Sequence, residues 1–296
     1  MVSSNTSSDR HHGAYSPREL ACGGYSFDFS KRTYLMGILN VTPDSFSDGG
    51  RFFEHQHAID HAKRMVDEGA DIIDVGGEST RPGAQGVSLE EERSRVLPVL
   101  ERLAQELPVP FSIDTTKAEI AREAIAAGAV IINDISALRS EPEMAGLAAR
   151  HGVAVVLMHM RGTPQTMQQE VAYDCLLAEI SAFLQERIDY AVSAGIDANR
   201  IMIDPGIGFG KPVPEGNLSI LKHLAYFKRL EKPVVIGPSR KAFIGRVLGR
   251  GPEEREEGTA AAVAIAVANG ANVVRVHDVK MMKRVVAMAD AIMAAS

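Results

Sequence analysis

The 296-residue sequence predicts an α/β fold, a (β/α)8 or TIM barrel, because three features recur along it. Eight apolar runs rich in β-forming residues are each followed by a segment of helical pattern. The runs are continuously apolar rather than alternating, as in parallel strands whose two faces are both covered. Five of the helical segments end in a glycine just before the next run, where a left-handed residue ends a helix. Eight alternations indicate a barrel, although a doubly wound open sheet would account for six or seven of them.

The predicted strands follow one another from residue 35 to residue 278. They are Leu35–Asn40, Asp71–Gly76, Pro110–Thr115, Val130–Ile135, Val153–His159, Ile201–Gly206, Pro233–Ser239 and Asn272–Asp278. The helix after the third run is expected over Lys117–Ala127. The helix-ending glycines are Gly69, Gly128, Gly152, Gly195 and Gly270.

The chain before the first barrel strand is expected to form two parts. Residues 1–24 are polar and lack an apolar segment of signal-peptide length, so we expect a mobile extension outside the fold. From Tyr25 the residues alternate between apolar and polar about Lys31 and Arg32, which predicts a β-hairpin that closes the bottom of the barrel. Residues 25–296 are therefore expected to form one barrel domain.

The composition excludes several classes of protein. The hydrophobic content of 45% and charged content of 24% are those of a soluble globular protein. A net charge of -6 argues against a nucleic-acid-binding protein, and no apolar run approaches the length of a membrane span. Two cysteines without a CxxC motif indicate neither a disulfide framework nor structural zinc, and they fit a reducing cytoplasm.

Hydrogen-bonding side chains stand at the carboxyl ends of most predicted strands, where a barrel places its active site. They are Asn40, Asp114, Asn133, His159, Asp204, the Ser239–Lys241 trio, Arg275 and His277. An aspartate in such a position is often the N-cap of the next helix, but Asp114 precedes its expected helix by at least two residues. The recurrence at six or more strands favours a binding site.

One set of these residues suits a flat heterocycle. Asp114, Asn133 and Asp204 supply carboxylates and an amide, and Lys241 supplies an ammonium. Together they match a ring with adjacent N–H donors on one edge and carbonyl or ring-nitrogen acceptors on another.

A second set suits a phosphate. Arg275 and His277 are two residues apart on the last strand, so they point the same way and can meet a phosphate oxygen. Barrels often hold phosphate near strands seven and eight. An ion pair with a helix is the alternative interpretation of Arg275.

Two long loops follow the first and second strands and are rich in Gly, Ser, Thr and Pro. They read NVTPDSFSDGGRF from Asn40 and GGESTRPGAQGVS from Gly76. Phe46, Arg81 and Pro82 lie in these loops beside the polar strand ends, which indicates a lid that closes over substrates and excludes water. Inert surface turns are the alternative.

Seven segments, in order from about residue 33 to the C-terminus, together resemble the dihydropteroate synthase family of folate biosynthesis. They read MGILNVTPDSFSDGG, DVGGESTRPGA, SIDTTK, INDIS, IDPGIGFGK, GPSRKAFIG and VRVHD. The resemblance implies a transferase that condenses 6-hydroxymethyl-7,8-dihydropterin pyrophosphate with p-aminobenzoate by a dissociative substitution at the pterin methylene. The products are 7,8-dihydropteroate and pyrophosphate.

The resemblance also implies a role for each set of residues. It implies a pterin pocket formed by Asp114, Asn133, Met158, Asp204, Phe209 and Lys241. It implies a pyrophosphate site formed by Asn40, Arg275 and His277, with Mg²⁺ bound at Asn40. The implied p-aminobenzoate site is bordered by Phe46, Thr80, Pro82, Phe209 and Ser239. The implied catalytic residues are Asp114, Lys241, Arg275 and His277, with Asp48 and Arg81 on the closing loops.

The sequence departs from the family pattern at one position near the predicted benzoate site. Ala242 follows the Ser-Arg-Lys trio where many relatives carry Ser or Arg, so contact with the benzoate carboxylate would fall to Ser239 or to backbone N–H groups.

The resemblance implies a homodimer, which fits the Ala-rich and Met-rich segments near the C-terminus. The alternative functions are a methyltransferase that passes a methyl group from methyltetrahydrofolate to a corrinoid and a non-catalytic pterin-binding protein.

Overall fold

Parallel strands and helices alternate along the chain in a computed structural model, which describes residues 19–42, 50–81, 83–169 and 171–295, with the side chains of 50–53 excluded. The strands are β1 (Glu19–Cys22), β2 (Tyr25–Asp28), β3 (Tyr34–Asn40), β4 (Ile72–Gly76), β5 (Phe111–Asp114), β6 (Ile131–Asp134), β7 (Ala154–Met158), β8 (Ile201–Asp204), β9 (Val235–Ile236) and β10 (Val273–Val276). The helices are α1 (Gly50–Asp67), α2 (Leu89–Glu106), α3 (Ala118–Ala126), α4 (Glu143–His151), α5 (Leu176–Ser193), α6 (Glu215–Lys222), α7 (Ala242–Leu248), α8 (Glu256–Ala268) and α9 (Val279–Ala294). Short 3-10 helices cover Ala198–Arg200, Leu224–Leu230 and Pro252–Glu254.

The order of the strands closes the sheet into a barrel. Strands β3 to β10 form an eight-stranded parallel sheet in the order β8-β7-β6-β5-β4-β3-β10-β9. The two ends of that order meet in a parallel bridge between Ile203 and Val234, where the Ile203 N–H donates to the Pro233 carbonyl over 2.9 Å. The last strand pairs with the first strand of the barrel. The predicted (β/α)8 barrel is therefore confirmed, and the alternative of an open sheet is excluded.

Both faces of the barrel strands are buried, which explains their continuously apolar sequences. In β3, Leu35 and Leu39 pack into the layer between sheet and helices, whereas Tyr34 and Met36 pack into the barrel interior. Val156 in β7 packs with Met36 in that interior. Successive side chains of a strand point to opposite faces, so a strand covered on both faces needs apolar residues at every position.

The predicted N-terminal hairpin is present, but its turn lies elsewhere. β1 and β2 pair antiparallel around Gly23 and Gly24, whose φ angles of 55° and 85° suit glycine. A Cβ at Gly23 would lie 2.0 Å from Val130 Cγ1, so the close approach also needs glycine. The turn expected at Lys31 and Arg32 is therefore wrong. Arg32 instead makes a two-pronged ion pair with Asp71.

The hairpin also corrects the boundary of the N-terminal extension. Leu20 and Cys22 of β1 and Phe27 of β2 are buried against the bottom of the barrel interior. Residues 19–24 therefore belong to the folded domain rather than to the predicted extension of residues 1–24. Alternation of buried and exposed residues over only four positions is too short to separate a strand from a polar tail.

The predicted helix ends agree with the structure. All five helix-ending glycines have positive φ, from 62° at Gly152 to 115° at Gly128. The helix expected over Lys117–Ala127 is α3. Among the described helices, none combines the length and the apolar character needed to cross a bilayer.

We predict that Phe27→Ala lowers the free energy of unfolding by about 3–5 kcal/mol, since it removes a buried ring from the barrel bottom. The Phe27 ring packs edge-to-face on Tyr34 with centroids 5.1 Å apart. The matched control is Phe29→Ala, because Phe29 contacts the same tyrosine from a half-buried position. Urea unfolding measures both variants, and equal losses would contradict the role of the hairpin as a bottom plug.

Candidate active site

Arg275 of β10 joins polar groups from several strands at the carboxyl end of the barrel. Its Nε donates to Asp74 Oδ2 over 2.6 Å, and its second terminal nitrogen donates to Asp114 Oδ2 over 2.7 Å. Asn133 Nδ2 donates to the same Asp74 oxygen over 2.9 Å. One side-chain network therefore spans β10, β4, β5 and β6, and Arg275 binds carboxylates inside the barrel rather than a helix.

Burial and neighbouring charges set the protonation of this network. Burial raises the pKa of Asp114 to about 7, and the Asp74 carboxylate adds to that rise, while Arg275 opposes it. Burial by itself would lower the pKa of Arg275, but Asp74 and Asp114 raise it above its ordinary value. Arg275 is therefore a permanent cation, whereas Asp114 exchanges its proton near neutral pH.

Register brings the predicted polar residues onto one face. Asp114 pairs with Asn133, and Asn40 and Asp114 both pair with Gly76. Paired residues of parallel strands point to the same side of a sheet, so these three side chains share the interior face. Asn40 is half-buried, and no hydrogen bond within the described ranges engages its side-chain amide.

Asp204 and Lys241 lie in the same electrostatic environment as Arg275. Asp204 Oδ1 accepts the Gly206 N–H over 2.7 Å, and the carboxylate is buried. Burial raises the pKa of Asp204, while Lys241 and Arg275 oppose that rise. Burial also lowers the pKa of Lys241 to about 8, helped by Arg275 and opposed by Asp204 and Asp114.

An apolar cluster provides the flat surfaces of the site. Phe209 lies with its ring centroid 4.0 Å from Lys241 Nζ, a cation–π distance. Phe209 packs in one buried cluster with Met158, Met160, Met167 and Ile135. The predicted Met158 and Phe209 are therefore brought together. The other three cluster members were not predicted, although Ile135 and Met160 each follow a strand end.

Ser239 and His277 form a pair that the sequence did not predict. Ser239 Oγ accepts the His277 backbone N–H over 3.2 Å and lies 2.9 Å from the imidazole Nδ1. Because the hydroxyl accepts one bond, its own proton can go to Nδ1, which leaves the imidazole proton on Nε2. Burial lowers the pKa of His277 to about 3, with Arg275 contributing, so His277 is a neutral N–H donor in the free protein.

His159 lies outside the site, although it ends a strand. Its ring packs edge-to-face on Phe183 of α5 with centroids 4.9 Å apart. Met158, the last residue of β7, points into the interior cluster, so the side chain of the residue that follows it points outward. Only the backbone carbonyl of His159 faces the site, where it accepts from Lys211.

The second loop is held at its base by ion pairs. Lys117 Nζ donates to Glu78 and to the buried Glu92, each over 2.5 Å. Beyond this anchor, Thr80 borders a cavity of about 280 Å³ that also reaches Asp114. The charge of Arg81 is a minor contributor to the low pKa of His277, after burial and the charges of Arg275, Arg240 and Lys241, which indicates that Arg81 lies on the same side of the site as His277.

Three predicted residues lie outside the described part of the chain. They are Phe46, Asp48 and Pro82. The predicted lid therefore stays a prediction for the first loop. The second loop is described except for Pro82, and beyond its anchored base the Gly83 N–H donates to the Pro164 carbonyl over 3.0 Å.

Comparison with known proteins gives concordant matches. Residues 36–277 match the family model described as pterin binding enzyme. The chain is 50% identical over 279 residues to the dihydropteroate synthase of Synechocystis sp., with 94% of this chain and 96% of that protein covered. Among solved structures, Xanthomonas albilineans dihydropteroate synthase with 4-aminobenzoic acid has a TM-score of 0.88 at 46% identity, over 94% of this chain and 99% of that one. A sulfonamide complex of Yersinia pestis dihydropteroate synthase has a TM-score of 0.88 at 45% identity, over 94% of this chain and all of that one.

We predict that Asp114→Asn stabilises the free protein increasingly as the pH rises from about 4 to about 7. The folded-state pKa of Asp114 is above its unfolded value, so ionisation favours the unfolded chain and stability falls through that interval. The neutral amide removes this loss, by an amount of the order of 1 kcal/mol or more. Thermal melts at the two pH limits measure the difference. A benefit that shrinks as the pH rises would contradict the raised pKa.

Proposed function

The chain belongs to the pterin-binding enzyme family and, within it, to the dihydropteroate synthases, and from this membership we propose how its residues divide the reaction between them. The enzyme is a transferase of folate biosynthesis that condenses 6-hydroxymethyl-7,8-dihydropterin pyrophosphate with p-aminobenzoate. The single observation that carries the assignment is the double ion pair of Arg275, which joins the predicted pyrophosphate side to the predicted pterin side.

The pterin ring is proposed to lie against Phe209 and Met158, with its N–H edge on Asp204. Asp204 Oδ1 is engaged by Gly206, and Oδ2 accepts no hydrogen bond from the described residues, so it can accept from the ring. Asn133 donates to Asp74 and keeps its amide oxygen as an acceptor. Lys241 donates to the acceptor edge of the ring.

The leaving pyrophosphate is proposed to bind at Arg275 and His277. As the bond between the pterin methylene carbon and the pyrophosphate oxygen breaks, negative charge grows on that oxygen, and Arg275 and the His277 Nε2–H stabilise it. The methylene becomes electron-poor at the same time. Asp114, which shares Arg275 with the leaving group, is proposed to offset that positive charge when it is ionised.

Mg²⁺ fits the donor set at Asn40. Mg²⁺ is commonly bound by one or two protein oxygens together with substrate phosphates, and the amide of Asn40 has no hydrogen-bond partner within the described ranges. Among the described residues no group of three acidic, His or Cys side chains could hold a metal. We propose that phosphate oxygens of the substrate supply further ligands. When bound, Mg²⁺ would neutralise charge on the pyrophosphate.

The p-aminobenzoate nitrogen is proposed to attack the methylene and then lose a proton. A neutral aromatic amine is already a nucleophile, so the site needs no strong general base. Thr80, Phe209 and Ser239 are the described members of the proposed benzoate site; Phe46 and Pro82 complete it. Ser239 is engaged with His277, which favours backbone N–H groups as partners of the benzoate carboxylate.

The corrinoid-dependent methyltransferase, the alternative for the same pterin-binding residues, is not supported by these relatives, which are dihydropteroate synthases. Such an enzyme would use Asp114, Asn133 and Asp204 but has no pyrophosphate to hold. The partly buried Ser239–His277 pair near Arg275 favours the synthase, because it can present an N–H donor where a leaving anion is expected.

We also propose a homodimer in the cytoplasm. Helices α8 and α9 expose large apolar side chains, among them Ile265, Met288, Ile292 and Met293, each more than half exposed. A contiguous apolar face of this kind is typical of a subunit interface. Both cysteines are unpaired, as a reducing compartment requires.

We predict that Ile292→Lys shifts the protein from dimer to monomer in light scattering at micromolar concentration, because it places a charge in the apolar interface. The control is Val192→Lys on α5, which changes an exposed apolar residue on neither α8 nor α9. A wild-type protein that is monomeric throughout would contradict the dimer.

We predict that Arg275→Met lowers kcat by about 10²–10³-fold, since the growing charge on the leaving group loses its cation. The assay mixes the pterin pyrophosphate, p-aminobenzoate and Mg²⁺ and quantifies dihydropteroate and free pyrophosphate. Affinity for a pterin without pyrophosphate should fall much less. The control is Arg246→Met on α7, which is exposed and should leave both quantities unchanged. Equal losses of turnover and pterin affinity would refute the leaving-group role.

A further inference from the structure

Lys211 is a fully buried lysine whose ammonium contacts only backbone carbonyls. Its Nζ donates to the carbonyl of Gly206 over 2.8 Å, of Phe209 over 2.8 Å and of His159 over 3.2 Å. The side chain is completely inaccessible to solvent. It therefore ties the loop after β8 to the end of β7.

The three acceptors favour the charged form of the side chain. A lysine ammonium has three N–H donors, whereas the neutral amine has two and a lone pair that would face a carbonyl oxygen. Burial pulls the pKa of Lys211 well below its ordinary value, and Asp204 opposes that fall. A buried cation without a carboxylate in hydrogen-bond contact costs stability, so its presence needs a reason beyond packing.

The loop that Lys211 holds carries two groups of the proposed pterin site. Gly206 donates its N–H to Asp204, and Phe209 provides an aromatic wall. Gly206 has a φ of 73°, and a Cβ there would lie 1.9 Å from the His159 carbonyl oxygen. The loop thus approaches β7 closely at the point where Lys211 bridges them.

A second buried residue shapes the same loop without charge. Asn217 Oδ1 accepts the Gly208 N–H over 2.7 Å, and its Nδ2 donates to the Pro212 carbonyl over 3.1 Å. Asn217 is also completely buried. It provides a natural comparison, because it fixes the backbone of the loop but adds no charge near Asp204.

Three cations act on Asp204. Lys241 precedes α7, Lys211 lies in the loop after β8, and Arg275 comes from β10. β7 adds no charged side chain beside Asp204: its Met158 pairs with Asp204 in register, and the N–H of the following His159 donates to the Asp204 carbonyl over 2.9 Å. Lys241 and Arg275 are assigned to substrates in the proposed function. Lys211 is the cation of the three that no substrate reaches, since it is sealed from solvent.

We propose that Lys211 is a positioning residue for pterin binding, which orients the loop from Gly206 to Phe209 and whose charge keeps Asp204 in the anionic form that accepts the pterin N–H. This inference rests on the proposed assignment of Asp204 to the pterin. It assigns Lys211 no contact with substrate: the residue acts through Asp204 and Phe209.

The test measures binding of 6-hydroxymethyl-7,8-dihydropterin by calorimetry from about pH 5 to about pH 8 in four variants. Lys211→Met should weaken affinity by about tenfold or more at neutral pH. It should also move the acid limb, the part of the curve where affinity falls as the pH is lowered, to higher pH, because Asp204 loses a nearby cation. Asn217→Ala should weaken affinity without moving that limb. Lys211→Arg should keep the limb in place, and Asp204→Ala should abolish both the affinity and its pH dependence.

The outcomes separate the inference from the proposed function. Wild-type affinity in Asp204→Ala would overturn the pocket itself. If Asp204→Ala loses binding, the pocket assignment stands. Only the role of Lys211 is then overturned if Lys211→Met binds like the wild type, or if its affinity falls by the same factor at every pH. If Lys211→Met does not fold, the neutral but hydrogen-bonding Lys211→Gln decides: an acid limb moved to higher pH supports the inference, and an unmoved limb overturns it.

Discussion

A guanidinium shared between two carboxylates is the interaction on which the rest of the site depends. Arg275 draws Asp74 and Asp114 together across the mouth of the barrel, and Asn133 is attached through Asp74. A buried ion of either sign is costly alone, and the Arg275 cation reduces that cost for the two carboxylates without removing it for Asp114, whose pKa stays raised. The network therefore fixes the relative positions of β4, β5, β6 and β10 where their carboxyl ends meet. The predicted pterin and pyrophosphate sides are neighbours because they share this one cation.

The two ends of the barrel interior have opposite character. At the bottom, Leu20 and Phe27 of the hairpin complete an apolar filling with residues such as Met36 and Met202. At the top, acidic and basic groups are packed out of water, with the pKa of Asp114 raised and that of Lys241 lowered. The apolar end stabilises a fold whose other end holds groups in unfavourable states, a division common in enzymes.

Much of the fold was predictable from the sequence because its signals are local. Continuous apolar runs and helix-ending glycines identify strands and helix ends from a few adjacent residues, and polar residues at strand ends identify the rim. The features that the sequence did not predict have short sequence signals or join residues that are far apart in the chain. The Gly23–Gly24 turn was missed because its strands have four residues each, and the bond between Ser239 and His277 was missed because it joins residues 38 apart in sequence. Lys211 was in a recognised segment, but sequence does not show that a lysine is buried.

The pairing of the last strand with the first has a consequence for how the chain is made. β10 carries Arg275 and lies between β3 and β9, so β3 leaves the ribosome long before its neighbour on that side. Until β10 is synthesised, β3 presents an open edge of the kind that invites pairing with other chains. A nascent chain that stops before Val273 also lacks the cation that Asp74 and Asp114 share. Completion of the sheet and assembly of the charged network therefore depend on the same late strand, and a chain shortened before it exposes an edge as well as lacking the cation.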